Sequence, residues 1–106
     1  MKLLTKEIKE KALKQFPLGS DFGQDIVAKF FTPWTNWTWY LMNIDPEDGD
    51  YCWGIVRGFE VEAGSFSLSE LAGIKGPFGL KIERDLHFKP IKAKELWERL
   101  LKGEHI

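Results

Sequence analysis

A single cysteine, Cys52, is all that this chain of 106 residues contains. That excludes an internal disulfide and a cysteine-rich zinc site. A surplus of positive charge is missing as well: fifteen Lys and Arg stand against sixteen Asp and Glu, a formal net charge of −1. A duplex-DNA binder draws affinity from basic side chains that neutralise phosphates, so this balance argues against one while leaving room for a small local patch. No apolar run approaches the ~20 residues a membrane span needs. The opening Met1-Lys2-Leu3-Leu4-Thr5-Lys6-Glu7 has two leucines before charge resumes, which is neither a signal peptide nor an anchor. The expectation is a reduced, cytoplasmic setting without membrane association. Phosphate-cradling glycine loops, internal repeats, linkers and low-complexity stretches are also absent.

Aromatic residues, by contrast, are plentiful and unevenly placed. Trp34, Trp37, Trp39 and Trp53 fall within one short stretch, and the length suits one domain (1–106) with one core. Thr5 is placed to cap a first helix whose stripe is Leu4, Ile8, Ala12 and Phe16, and Pro17 ends it. Residues 26–32 are β-branched and aromatic, which predicts a strand closed by Pro33. Trp37 to Ile44 is the next strand; Asp45 to Asp50 is dense in turn formers, and Tyr51 to Val56 returns. A tight hairpin would set Ile44 against Tyr51, Met42 against Trp53, Tyr40 against Ile55, and Trp39 and Leu41 against Val56 and Gly54. Gly54 would then leave space for a nearby indole.

Phe59-Glu60-Val61-Glu62 alternates apolar and acidic residues, as a strand near the sheet edge would, and Ala63-Gly64 reads as a turn. Ser67-Leu68-Ser69-Glu70 is a capping box opening a short helix to about Ile74. Apolar residues at 80, 82, 86 and 88 predict a further strand before Pro90, in which Arg84 points with the apolar set. A last helix over about 93–102 presents Leu96, Trp97, Leu100 and Leu101, with Gly103 as its C-terminal cap. The predicted fold class is α+β: a small antiparallel sheet of four to five strands, helices at both ends and one short inserted helix.

Few constellations carry chemistry. Tryptophans on a sheet can stack unpaired bases, but such platforms interleave Lys and Arg, and residues 34–56 contain neither. Core packing is the better reading, with any uncovered edge a protein-interaction surface. Glu83, Asp85 and His87 would share one strand face, yet residues four apart on a strand are ~13 Å apart and cannot converge on one metal. No metal or cofactor is expected. Arg84 on a buried side must find a carboxylate or carbonyls, or else bind an anion. The acidic run from Asp45 has Val56 at the twelfth position and so lacks the EF-hand glutamate. Cys52 has no neighbouring histidine in sequence, and Ser67 and Ser69 are accounted for by capping.

The segments Lys29-Phe30-Phe31-Thr32-Pro33, Trp37-Thr38-Trp39-Tyr40, Phe66-Ser67-Leu68-Ser69-Glu70-Leu71, Gly76-Pro77-Phe78-Gly79-Leu80 and Ile82-Glu83-Arg84-Asp85, in this order, resemble the bacterial domain-of-unknown-function family numbered 2958. The chain departs from that pattern at Lys81, where proline is expected, and at Ala63 and Ser65, where Leu and Tyr are. The resemblance implies association with plasmids, phages and other mobile elements and supplies no catalytic residue. It makes Trp37, Trp39, Tyr40, Glu83, Arg84 and Asp85 the binding positions to test first. The favoured expectation is a non-catalytic accessory protein that binds a protein partner. The alternatives are a single-stranded nucleic-acid module built on the aromatic hairpin, and a small enzyme using the Glu83-Arg84-Asp85 segment.

Overall fold

A computed structural model describes residues 2–106. Helix α1 (Lys6–Gln15) begins where the Thr5 hydroxyl accepts from the Ile8 amide at 3.1 Å, and it passes into a 3-10 turn at Pro17, whose nitrogen carries no hydrogen. Strands β1 (Asp25–Ile26), β2 (Ala28–Phe31), β3 (Thr38–Ile44), β4 (Tyr51–Arg57) and β5 (Val61–Ser67) follow. Helix α2 (Leu68–Gly73), strands β6 (Glu83–Arg84) and β7 (Ile91–Lys92), and helix α3 (Ala93–Leu101) complete the α+β chain. The main sheet is antiparallel with order β5-β4-β3-β2-β6, so the aromatic strand β3 lies at its centre and β5 at one edge.

Every residue of β3 is buried, because helices cover both faces. On one face Trp39, Leu41 and Ile44, with Phe30 and Phe66 beside them, pack under α1 and α2. On the other, Tyr40, Met42 and Ile55 meet Ala93, Leu96 and Leu100 of α3. Removing Leu96 and Leu100 from water contributes roughly 2 kcal/mol each. The buried Tyr40 hydroxyl donates to the Ile106 carbonyl at 2.9 Å, which ties the chain end to the middle of the sheet.

The hairpin register holds for Trp39, Tyr40 and Leu41, which face Val56, Ile55 and Gly54, and then slips by one. Met42 is an extra residue: Asn43 faces Trp53 and Ile44 faces Cys52, correcting the expected Met42–Trp53 and Ile44–Tyr51 pairs. The bulge returns Ile44 to the α1 face, where its side chain is buried with Leu41. Gln15, at the end of α1, holds the bulge. Its amide nitrogen donates to the Met42 carbonyl at 2.7 Å and to the Asp25 carbonyl at 3.0 Å, and its oxygen accepts from the Asp25 amide at 3.2 Å. Asn43, fully buried, donates to the Gly19 carbonyl and to Gln24 Oε1, each at 2.9 Å.

Five further expectations are corrected. Residues 26–32 are not one strand: Val27 interrupts them, and Asp25–Ile26 pair with Ile91–Lys92 in a separate two-stranded sheet. Ala63-Gly64 is not a turn. The chain reverses earlier, where the Gly58 amide donates to the Glu60 carbonyl at 3.0 Å, and seven continuous pairs with β4 override the local turn signal. Of residues 80–88 only Glu83 and Arg84 form strand, and Leu80 and Leu86 are exposed. The competing force is an Asx turn, in which Asp85 Oδ1 accepts from the His87 amide at 2.9 Å. Leu101 is 61% exposed and drops out of the buried stripe of α3. The space over Gly54 is filled by the phenyl of Phe66 rather than by an indole.

Candidate functional site

The structure separates the aromatic candidates. Trp39 and Tyr40 are core side chains on opposite faces of β3, and burial raises the Tyr40 pKa above its ordinary value. Trp37 is half-buried, stacked on Trp39 with ring centroids 6.0 Å apart. Its indole lies where a side chain on Gly58 would stand, since a Cβ there would come within 2.4 Å of the ring. Edge-on to Trp37 at 5.5 Å is Phe59, 95% exposed, on the turn that enters β5. Glu60 and Glu62 border this corner. An aromatic surface rimmed by carboxylates repels phosphate, which runs against base stacking here.

Glu83, Arg84 and Asp85 lie together at the opposite edge of the sheet. Glu83 pairs with Phe31 and Arg84 with Phe30, and the Asp85 amide extends the ladder by donating to the Lys29 carbonyl at 2.9 Å. The Arg84 guanidinium donates to the Lys2 carbonyl at 2.8 Å, so it meets a carbonyl of the N-terminal segment. Asp85 forms an ion pair with Lys29 at 3.5 Å. All three are half-buried.

Next to this edge opens a groove of about 870 Å³ between the N-terminal segment, α2 and the 79–83 segment. Leu3, Leu4, Leu68, Leu71, Leu80 and Ile82 supply its apolar lining, and Lys2, Lys9, Lys81 and Glu83 its charges. None of the three lysines is in an ion pair among the described residues. Beside Gly79 and Leu80 stands Phe78, whose ring is fully exposed and whose φ is +58°. That left-handed backbone costs a non-glycine residue roughly 1–2 kcal/mol. A strained loop therefore exposes a whole apolar ring next in the chain to Gly79 and Leu80, which line the groove, while Phe78 itself is not part of the lining.

Cys52, Ser67 and Ser69 are engaged in the packing and capping of the fold. Burial, with Asp50 and Asp48 acting in the same sense, pushes the Cys52 thiol up to about 12, so the thiolate nucleophile is suppressed. The Ser67 hydroxyl caps α2 by accepting from the Glu70 amide at 3.1 Å, and Ser69 Oγ donates to Asp50 Oδ2 at 2.7 Å. Among the described residues no group of three His, Cys, Asp or Glu is placed to hold a metal ion. No helix among them is long and apolar enough to cross a membrane.

Sequence reasoning singled out Glu83, Arg84 and Asp85 as candidates without placing them at a sheet edge, and it missed the groove beside them and both exposed phenylalanines. The groove assembles residues from positions 2 to 83, and no local pattern announces that. Phe78 carried a readable signal, an aromatic set between Gly76-Pro77 and Gly79 where a turn must form.

Comparison with curated proteins and with solved structures returns no match. A family profile described as a protein of unknown function, DUF2958, matches residues 3–102, nearly the whole chain, and the protein belongs to that family.

Proposed function

We propose that the protein is a non-catalytic binding module which takes an apolar, acidic segment of a partner protein into the groove beside Phe78. The observation that carries this reading is Phe78 itself. A fully exposed phenyl on a left-handed backbone is doubly unfavourable in isolation, and such strain is retained where it serves contact with something else. The lining supplies apolar contact, and three lysines against Glu83 favour an occupant of negative charge. Arg84 and Asp85, through Lys2 and Lys29, hold the wall in place, which gives the Glu83-Arg84-Asp85 segment a supporting part. The setting, an accessory protein of a bacterial plasmid or phage, rests on the family resemblance alone, and its placement in the cytoplasm on the lone cysteine and the polar opening of the chain.

Phe78→Gly separates binding from folding. Glycine adopts φ +58° without strain, so the variant is expected to gain about 0.5–1 kcal/mol of stability in a urea titration. Affinity for a partner captured from a plasmid-bearing host should fall on the order of thirtyfold, the loss of an anchor worth about 2 kcal/mol. Capture should be equally sensitive to Lys9→Glu with Lys81→Glu and insensitive to Phe59→Ser. A partner whose binding ignores the groove variants would overturn the proposal. Quenching of tryptophan fluorescence by single-stranded oligonucleotides at low salt would favour the nucleic-acid reading instead.

A further inference from the structure

Strand β5 ends the sheet at the edge opposite β6, and one of its residues has no reason within the chain to be what it is. Gly64 sits mid-strand at a negative φ, and a Cβ built there would meet nothing within 4 Å. A glycine inside a strand weakens it, and one that sits at no bulge and against no neighbour of its own chain leaves room for another backbone to approach closely.

The direction of the backbone groups follows from two bonds in a single register. The Gly58 amide donates to the Glu60 carbonyl at 3.0 Å, and the Leu68 amide donates to the Asp50 carbonyl at 3.1 Å. Bonded pairs alternate along an antiparallel ladder, so Glu62, Gly64 and Phe66 direct their amides and carbonyls to β4. Val61, Ala63 and Ser65 direct theirs outward, as does the Ser67 amide, while the Ser67 carbonyl opens helix α2. Natural edges are blunted by charged side chains, lysine above all, by proline or by a bulge, and the one charge on β5 is Glu62. Over Val61–Ser67 there is no Lys or Pro, the register is unbroken, and Ala63 and Ser65 are small and exposed.

We propose that β5 pairs antiparallel with β5 of a second copy of this chain, about a two-fold axis through Gly64. In that register Ala63 faces Ser65 of the second copy and Val61 faces Ser67, so the amides of Ala63, Ser65 and Ser67 each meet an outward carbonyl, and only the Val61 amide meets one that α2 already uses. The charges agree with it: Glu62 faces Phe66 of the second copy rather than its own equivalent, so no carboxylate opposes another across the seam. Gly64 meets Gly64 at a non-bonded pair, the closest approach in such a ladder. The contact closes on itself. The other edge of the sheet, β6, is two residues long and is flanked by the Arg84–Lys2 bond, so it offers β5 no competing partner.

Sedimentation from low to several hundred micromolar tests this directly. The wild-type chain is expected to reach twice its 12.3 kDa mass. Ser65→Pro, which removes an outward donor while leaving the bonds to β4 intact, is expected to remain monomeric with an unchanged far-UV CD spectrum. Should the proline variant fail to fold, Ala63→Lys with Ser65→Lys alters exposed side chains only and should likewise be monomeric. Under mild oxidation Gly64→Cys should crosslink to itself and Ala63→Cys should not, because only residue 64 meets its own equivalent. A wild-type chain that stays monomeric, a lysine variant that still dimerises, or a crosslink at 63 in place of 64 each overturns the proposal.

Discussion

Gly54 and Gly64 face each other across β4 and β5, and the same substitution at the two positions should have opposite effects. A Cβ at Gly54 would lie 2.2 Å from the Tyr40 carbonyl oxygen and 2.8 Å from Cε1 of Phe66. Ordinary carbon–oxygen contact is more than 3 Å, so about 1 Å of backbone retreat is needed. Strand β3 cannot retreat, being buried on both faces, and Phe66 is only 8% exposed. Overpacking of a well-filled core costs about 1–3 kcal/mol, and a backbone collision belongs at the upper end. Replacing glycine also removes unfolded-chain entropy, a gain of about 0.4–1 kcal/mol common to both variants. Gly54→Ala should therefore lose about 2–3 kcal/mol. That is a large share of the 5–15 kcal/mol typical of domains, and a Tm drop on the order of 10 °C. Gly64→Ala, with open space before it, should be neutral or gain up to about 1 kcal/mol. The assay is a urea titration followed by tryptophan fluorescence and far-UV CD, at a concentration low enough that self-association contributes nothing. Equal midpoints for the two variants, or a Gly54→Ala chain as stable as wild type, would refute the packing read from these distances.

Two further expectations concern the core. Gln15→Ala leaves the bulge carbonyl of Met42 and the Asp25 amide without their partner and should cost about 2 kcal/mol. Gln15→Glu, which keeps an acceptor but loses the donor, should recover little of it; full rescue would show that the bulge does not depend on this clamp. Cys52 should resist thiol reagents at pH 8 in the folded chain and react at once in denaturant. Its folded pKa is raised from 9.0 to about 12, so its contribution is intact below pH 9 and declines as the unfolded thiol, but not the folded one, ionises above it. The stability difference between wild type and Cys52→Ala should thus narrow between about pH 9 and pH 12; a difference independent of pH would show the thiol to be solvated.

Elements whose signal is local were legible in the chain. Thr5 and Ser67 cap their helices through their own hydroxyls, and Gly103 takes φ +84° after α3 as its position predicts. The central aromatic strand was legible because seven residues buried on both faces must read as nearly continuous apolar sequence. Failures came where a distant group outbid a local preference. The bulge at Met42 depends on Gln15, a residue in another element, so hairpin spacing alone could not place it. Ala63-Gly64 has turn chemistry, but pairing with β4 keeps it extended.

The candidate site divides along the same line. Residues 83–85 stood out as candidates because a charged triplet set in an alternating segment is visible in one dimension. The groove was not, because Leu3, Leu68 and Leu80 each look like ordinary core residues until the fold brings them together and leaves them uncovered. Sequence by itself determined the α+β class, the helix caps, the buried strand at the sheet's centre and the family, since each depends on residues close in the chain or on their order. Tertiary structure alone decided which aromatics are interior, where the hairpin slips and which apolar surface stays open. Those outcomes depend on what packs against each residue, and packing joins positions that the chain keeps far apart.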